Sequence, residues 1–211
     1  MSINKDLTKT SQEQDFTEVV DIIVQHRSKA SRAVNEQILL CAWYVGGYVS
    51  MKLKSEDWGS KVVAQLSEYI RSTRPDIKGF SKRNIYNMVM FYDEYSSELF
   101  AAAIRKYMTD KFVQSETAQI VQSQTGQMPN ILALTTLTNH IEISCRCKSV
   151  EERLFYILYS HKEHLFVREL QRCISNQTYS ALLSNKTNLS KGLLETYPNS
   201  PIMFKDTYFV Q

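Results

Sequence analysis

Four side chains in one predicted helix have the chemistry needed to contact nucleic acid. Lys82 and Arg83 can meet phosphates or a guanine edge. Tyr86 can stack on a base or sugar, and the Asn87 amide carries the donor–acceptor pair that suits adenine. At about 100° per residue these side chains share one half of the helix, opposite an apolar face. The pattern predicts a DNA-contacting surface, and an ordinary solvated face is the open alternative.

Basic residues are concentrated around this helix. Residues 52–83 contain eight basic and four acidic residues, a surplus of four, whereas the whole chain has a net charge of +3. The basic residues are Lys52, Lys54, Lys61, Arg71, Arg74, Lys78, Lys82 and Arg83. Among them, we expect Lys61, Arg74 and Lys78 to hold phosphates near the helix that carries Lys82 and Arg83.

The clearest candidate for catalytic chemistry is one acid-x-Lys triplet, Asp76-Ile77-Lys78. A PD-(D/E)XK nuclease needs clustered carboxylates to hold Mg²⁺ and a lysine near the attacking water. The triplet directly follows Pro75 in a predicted turn. No predicted strand with a further acidic residue lies beside it. The sequence also has no phosphate-binding loop and no nucleophile elbow. We therefore expect no active site in this chain and no cofactor.

The cysteine and histidine spacings give little support for a metal site. Cys145-x-Cys147 is not the usual C-x-x-C knuckle, and His161-x-x-His164 lacks a second cysteine pair. We expect these residues and His140 to be core or surface residues, with no metal bound.

Two amphipathic helices joined by a turn are predicted to position the basic surface. Hydrophobic periodicity predicts a mainly α-helical chain, with a helix-turn-helix, winged-helix-like unit at 58–95. Pro75 stops the first helix, Gly79 can take a positive φ in the turn, and Ser81 is a good N-cap for the second helix.

A long helix is predicted upstream, from Asp15 to about Lys54. Gly46-Gly47 interrupts it, which indicates a kink or a close crossing by another helix. The predicted organisation is a disordered N-terminus at 1–14, a helical subdomain at 15–108, a polar Gln-rich insertion or linker at 109–129, a second helical subdomain at 130–184 and an extended connector at 185–211.

The bulk properties are those of a cytoplasmic protein. The 211-residue chain has a pI near 8.6 and no basic-then-apolar signal pattern at its start. Its longest apolar run, Ile38 to Met51, is shorter than the roughly 20 residues that span a bilayer, so we expect no membrane association. The four cysteines form no disulfide framework.

Several sequence blocks resemble the YhcG N-terminal domain family. The most specific is Lys78-Gly79-Phe80-Ser81-Lys82-Arg83-Asn84, which is similar to the family's K-G-F-S-x-R-N. Further blocks are WGSKVV from Trp58, LTNH from Leu137, EERLFY from Glu151, REL from Arg168 and KDTYF from Lys205. The resemblance covers about residues 30 to 209.

In this family a PD-(D/E)XK nuclease domain typically follows, and the whole protein is regarded as a DNA-acting nuclease. The resemblance implies that this portion is a non-catalytic module that binds double-stranded DNA for a C-terminal nuclease domain. The apolar segment at 203–211 is expected to lead into that domain. The alternative is a protein–protein interaction or homodimerisation module, whose contact surface is formed by Trp43, Tyr44, Tyr48, Met90 and the stripe along residues 34–49.

Overall fold

The computed structural model describes residues 3–55, 58, 59, 61–109 and 127–183. Within these ranges the chain is almost entirely helical and contains no strand, which confirms the predicted mainly α class. The eight α-helices in these ranges are α1 (Ile3–Lys54), α2 (Val62–Thr73), α3 (Lys82–Tyr95), α4 (Glu98–Thr109), α5 (Leu137–Arg146), α6 (Val150–Lys162), α7 (Val167–Ser175) and α8 (Thr178–Leu183). A 3-10 helix at Asn130–Leu134 precedes α5. No described helix combines the length and the apolarity needed to cross a membrane.

Helix α1 packs against α3 over its C-terminal third, and the two backbones nearly touch. A β-carbon built on Gly46 would lie 2.1 Å from the Met88 carbonyl oxygen, and one on Gly47 would lie 2.8 Å from the Tyr92 ring. The helix continues through both glycines without interruption. Of the two predicted reasons for the glycine pair, the structure therefore shows the close crossing.

A small apolar cluster joins α1, α2 and α3. Its buried members are Val49 from α1, Val63 from α2, and Ile85 and Val89 from α3, and the Trp58 side chain packs against them. Since each helix contributes one apolar face, this cluster fixes the angle at which α3 leaves the α2–α3 turn. The side of α3 that carries Lys82 stays exposed.

The α2–α3 turn is held by local hydrogen bonds. Helix α2 ends at Thr73, and the amide of the capping residue Arg74, which precedes Pro75, donates to the Ile70 carbonyl at 2.8 Å. Gly79 has a φ of 92°, a left-handed conformation that glycine adopts without strain. The Ser81 hydroxyl accepts from the Asn84 amide at 3.3 Å, and the Asn84 side chain donates to the Gly79 carbonyl at 3.1 Å.

An aromatic cluster lies between α3, α4 and α5. The Tyr95 ring contacts Phe91, Phe100 and His140 with centroid distances of 5.3, 4.8 and 5.0 Å. On α1, the Asn35 amide donates to the carbonyls of Ala133 and Thr135, at 3.4 and 3.0 Å. These contacts join the helices before and after the stretch 110–126 within one compact unit of the described residues up to Leu170.

Three parts of the predicted organisation differ from the structure or lie outside its described ranges. Helix α1 begins at Ile3, so its backbone includes residues predicted to be disordered. Most of the Gln-rich insertion (110–126) and the connector from 184 onward lie outside the described residues. Within the predicted second helical subdomain, α7 and α8 are separated at Gln177, which has a φ of 53°.

The described residues 171–183 belong to a second compact unit. There, the Thr178 hydroxyl donates to the Cys173 carbonyl at 2.9 Å and links the end of α7 to the start of α8.

Candidate nucleic-acid interface

The predicted contact residues lie in the first two turns of α3. The side chains of Lys82, Arg83 and Tyr86 are exposed, with 37% of Tyr86 accessible. On the opposite side, Ile85 and Val89 are buried against α1 and α2. The apolar packing therefore orients α3 so that its basic end faces solvent.

The charges on α3 are arranged against the helix dipole. Lys82 and Arg83 occupy the first two helical positions, where the dipole is positive, and the first turn contains no acidic residue. The last turn carries Asp93 and Glu94 and no basic residue. This arrangement lowers the stability of the isolated helix by a few tenths of a kcal/mol per charge and concentrates positive potential at its N-terminus. The stability of the isolated helix therefore does not account for this order of charges.

Both acidic residues at the other end of α3 are neutralised by partners. The Asp93 carboxylate accepts from the Ser50 hydroxyl at 2.6 Å and from the Lys54 ammonium at 2.7 Å. Glu94 pairs with Arg153 of α6, and that pair is largely sheltered from solvent. The described residues include no ion pair of Lys82 or Arg83, so the positive charge of α3 faces solvent uncompensated.

Arg74, one of the predicted phosphate ligands, already holds a carboxylate. Its Nε and Nη2 atoms donate to the two oxygens of Asp76, at 2.9 and 2.8 Å. The hydrogen bond lowers the pKa of Asp76 and raises that of Arg74. Lys61 and Lys78 are exposed, and neither forms an ion pair within the described ranges. Of the three side chains predicted to hold phosphates around α3, Lys61 and Lys78 are therefore accessible, and Arg74 must first release Asp76.

A groove of about 730 Å³ lies beside the N-terminal end of α3. The α2–α3 turn and α3 form one wall, and α1 and α5 form the other. Its lining is mostly apolar and includes Val34, Ile38, Phe80, Met88, Leu137 and Ile141. Asn87 and Lys78 also line the groove, and Asn87 is only partly exposed. Asn87 therefore faces the groove instead of sharing the fully solvated surface of Lys82 and Arg83.

Sequence reasoning missed this groove because its walls come from distant segments. Leu137 and Ile141 of α5 are more than 50 residues from Phe80 in the chain, so no local pattern places them together. The available sequence signal was the apolar stripe that includes Val34 and Ile38. Both side chains are exposed in the structure, whereas a fully packed helix buries such positions.

The histidines and cysteines occupy separate environments. His140 is fully buried, its Nε2 atom lies 2.8 Å from the Leu132 carbonyl, and burial lowers its pKa to about 4. Cys147 is buried and Cys145 is exposed, and burial raises the pKa of the Cys147 thiol to about 12. Within the described ranges no three His, Cys, Asp or Glu side chains are grouped as metal ligands.

One comparison with known proteins identifies the family. A family model described as the DUF1016 N-terminal domain matches residues 18–181, from within α1 to within α8. The chain belongs to the DUF1016 N-terminal domain family. This is the YhcG N-terminal domain family that the sequence blocks indicate, so that prediction is confirmed. No curated protein and no solved structure matches the chain.

The K-G-F-S-x-R-N block of this DUF1016 N-terminal domain contains two kinds of residue. Gly79, Ser81 and Asn84 form the turn and cap α3 through the hydrogen bonds described above. Lys82 and Arg83 make no such contact and face solvent. The turn-forming residues therefore set the position of the two cations, whose own side chains remain available to a ligand.

Proposed function

We propose that this chain is a non-catalytic DNA-binding module that positions a YhcG-type PD-(D/E)XK nuclease domain on double-stranded DNA. The observation that carries the proposal is the reversed charge order of α3. Lys82 and Arg83 stand at the positive end of the helix, while Asp93 and Glu94 are neutralised by Lys54 and Arg153.

The α2–α3 pair supports a specific mode of contact. In helix-turn-helix proteins the second helix enters the major groove and its N-terminal residues reach the base edges. Here α3 plays that part: Lys82 and Arg83 neutralise phosphates at the mouth of the groove, and Tyr86, one turn later, reaches into it. Lys61 and Lys78 hold phosphates on either side, and Asn87 contacts DNA only from the rim of the apolar groove.

The environment of Asp76 supports the non-catalytic part of the proposal. This is the one carboxylate in an acid-x-Lys triplet, and both of its oxygens accept hydrogen bonds from Arg74. A metal-binding carboxylate would have to give up this bidentate pair. The nuclease chemistry is therefore assigned to the domain that follows in the family.

A salt titration tests this function. Fluorescence anisotropy of a labelled duplex should show binding whose log–log salt slope is about −3.6, since each of four neutralised phosphates contributes about −0.9. With that slope the affinity falls by about 150-fold between 50 and 200 mM salt. A slope near zero, or no binding at low salt, contradicts the proposal.

The apolar groove favours a second candidate function, a protein–protein interaction or dimerisation module without direct DNA contact. An exposed apolar groove with a few polar groups at its rim is typical of a docking site. The contact surface predicted from sequence needs two corrections. Within the stripe along residues 34–49, Ala42 and Val49 are buried. Trp43 is buried, with its ring 4.8 Å from Tyr92 and 6.0 Å from Phe91, because α3 crosses α1 at that point. Tyr44 and Tyr48 remain exposed.

A further inference from the structure

We propose that Tyr86 is the one side chain of α3 that contacts base pairs, so that this module binds duplex DNA with little regard to its sequence. The inference rests on the proposed DNA-binding function and specifies which DNA that function takes. It follows from the burial of α3, whose whole length lies within the described residues. A helix can read only the bases that its exposed side chains reach.

Helix α3 is enclosed by its neighbours along most of its length. It packs against α1, α2, α4 and α5. Its exposed side chains all lie within residues 82–86, and every side chain of α3 after Tyr86 is buried or half-buried. Met90, one turn after Tyr86, is half-buried, and Phe91 is buried. The accessible part of the helix is therefore little more than one turn.

This accessible turn is too short to follow several base pairs. Five residues with a rise of about 1.5 Å each cover roughly 6–8 Å along the helix, and base pairs are about 3.4 Å apart. In homeodomains, by comparison, the side chains that read bases are spread over about eight positions of the helix. Only about two neighbouring base pairs can therefore lie opposite residues 82–86.

The polar neighbours of Tyr86 have other roles. The Asn84 side chain donates at 3.1 Å to a backbone carbonyl of the α2–α3 turn and so holds that turn. In the proposed mode of contact, Lys82 and Arg83 neutralise phosphates. Asn87 is half-buried in the wall of the apolar groove and reaches DNA only from the rim of that groove. Contact with the bases is left to Tyr86.

The chemistry of the Tyr86 side chain allows only weak discrimination. A base pair is specified by two hydrogen bonds from one side chain, such as those of an arginine to guanine or an asparagine to adenine. A phenol has a single O–H group, which can hydrogen-bond to one base edge, and a ring that can pack against a thymine methyl. Since several base pairs offer such partners, the best sequence should bind less than about tenfold more tightly than an average one. Sequence-specific proteins reach roughly 10³–10⁷-fold.

Selection from a library of duplexes with a random central segment tests this inference. The full chain is mixed with the library at about 100 mM salt, and the bound duplexes are sequenced. Fluorescence anisotropy then compares the most enriched duplex with a scrambled duplex of the same composition. Their affinities should differ by less than about tenfold, and any preference should be confined to one or two adjacent base pairs.

A substitution at position 86 tests the role of the side chain. Tyr86→Ala should remove the remaining preference and weaken the binding of every duplex several-fold. The salt slope should not change, because a neutral phenol releases no counterions from DNA. Tyr44→Ala is the matched control, since it removes an exposed tyrosine of α1 and should change neither the affinity nor the preference. Circular dichroism should be the same for both variants, because both side chains are exposed.

The possible outcomes separate this inference from the function on which it rests. A preferred duplex that binds more than about tenfold tighter than the scrambled one would overturn the inference and leave DNA binding in place. A preference that survives Tyr86→Ala would do the same. Absence of binding to any duplex at low salt would overturn the proposed function, and this inference with it.

Discussion

Gly46 of α1 lies directly against the backbone carbonyl of Met88 in α3, where a β-carbon would come within 2.1 Å of the carbonyl oxygen. Backbone atoms move far less readily than the end of a side chain. Gly46→Ala should therefore force the two helices apart and lower the free energy of unfolding by about 1–3 kcal/mol or more. Urea denaturation followed by circular dichroism measures the loss.

Gly59→Ala is the matched control for this crossing. A β-carbon at Gly59 meets no atom within 4 Å, and Gly59 does not have a positive φ. The substitution should leave the free energy of unfolding unchanged or raise it slightly, because alanine restricts the unfolded chain. Equal destabilisation by the two substitutions would contradict the close contact at Gly46.

Two substitutions at the start of α3 test which residues of the K-G-F-S-x-R-N block stabilise the fold and which are available to a ligand. Ser81→Ala removes the acceptor of the Asn84 amide and should cost about 1 kcal/mol of stability. Lys82→Ala, one position later, removes an exposed cation and should change stability by less than about 0.5 kcal/mol. Thermal or urea unfolding of the two variants checks this difference. A larger loss for Lys82→Ala than for Ser81→Ala would mean that Lys82 has a structural role.

Buried His140 should make the protein sensitive to mild acid. Its pKa is lowered from 6.5 to about 4, because burial disfavours the charged ring. The unfolded chain therefore binds the proton more readily than the folded one, and stability falls as the pH drops from 6.5 towards 4. Between pH 7 and pH 5 the loss from this residue is about 2 kcal/mol.

Urea titrations at the two pH values measure this loss. The variant His140→Gln keeps a polar side chain that does not titrate, so its stability should change less between pH 7 and pH 5 than that of the natural chain. An equal change in both proteins would assign the acid sensitivity to other groups.

A substitution in the Arg74–Asp76 pair should strengthen DNA binding. Asp76→Asn removes the negative charge that occupies the Arg74 guanidinium and frees it for a phosphate. The affinity for duplex DNA should rise several-fold at low salt, and the salt slope should steepen by about one. Because the pair is exposed, folding should hardly change. An unchanged affinity in anisotropy measurements would place Arg74 outside the DNA contact.

The local parts of the fold were predictable from sequence, and the long-range parts were not. Gly79 and Ser81 act through their own backbone conformation and neighbours, so the sequence indicates their roles directly. Phe91 is buried in addition to Ile85 and Val89, because α3 has packing partners on more than one side. The periodicity of apolar residues within α3 does not indicate that a further helix packs against it.

The candidate site shows the same division. The exposure of Lys82 and Arg83 follows from helix periodicity, since Ile85 and Val89 fix the opposite side. The pairing of Arg74 with Asp76 depends on how the turn closes after Pro75, and Asn87 faces a groove completed by α5. Neither arrangement can be derived from spacing alone.

DNA binding by α3 is tested by comparing two double variants that remove the same charge. Lys82→Ala/Arg83→Ala removes the cations at the start of α3, and Lys148→Ala/Arg168→Ala removes two exposed cations from other helices or their ends. Anisotropy of a labelled duplex should show at least a tenfold loss of affinity for the first variant at 100 mM salt, and its salt slope should be reduced by about two. The second variant should bind almost as well as the natural chain. Equal binding by both variants, or equal losses, would contradict the claim that α3 reads DNA.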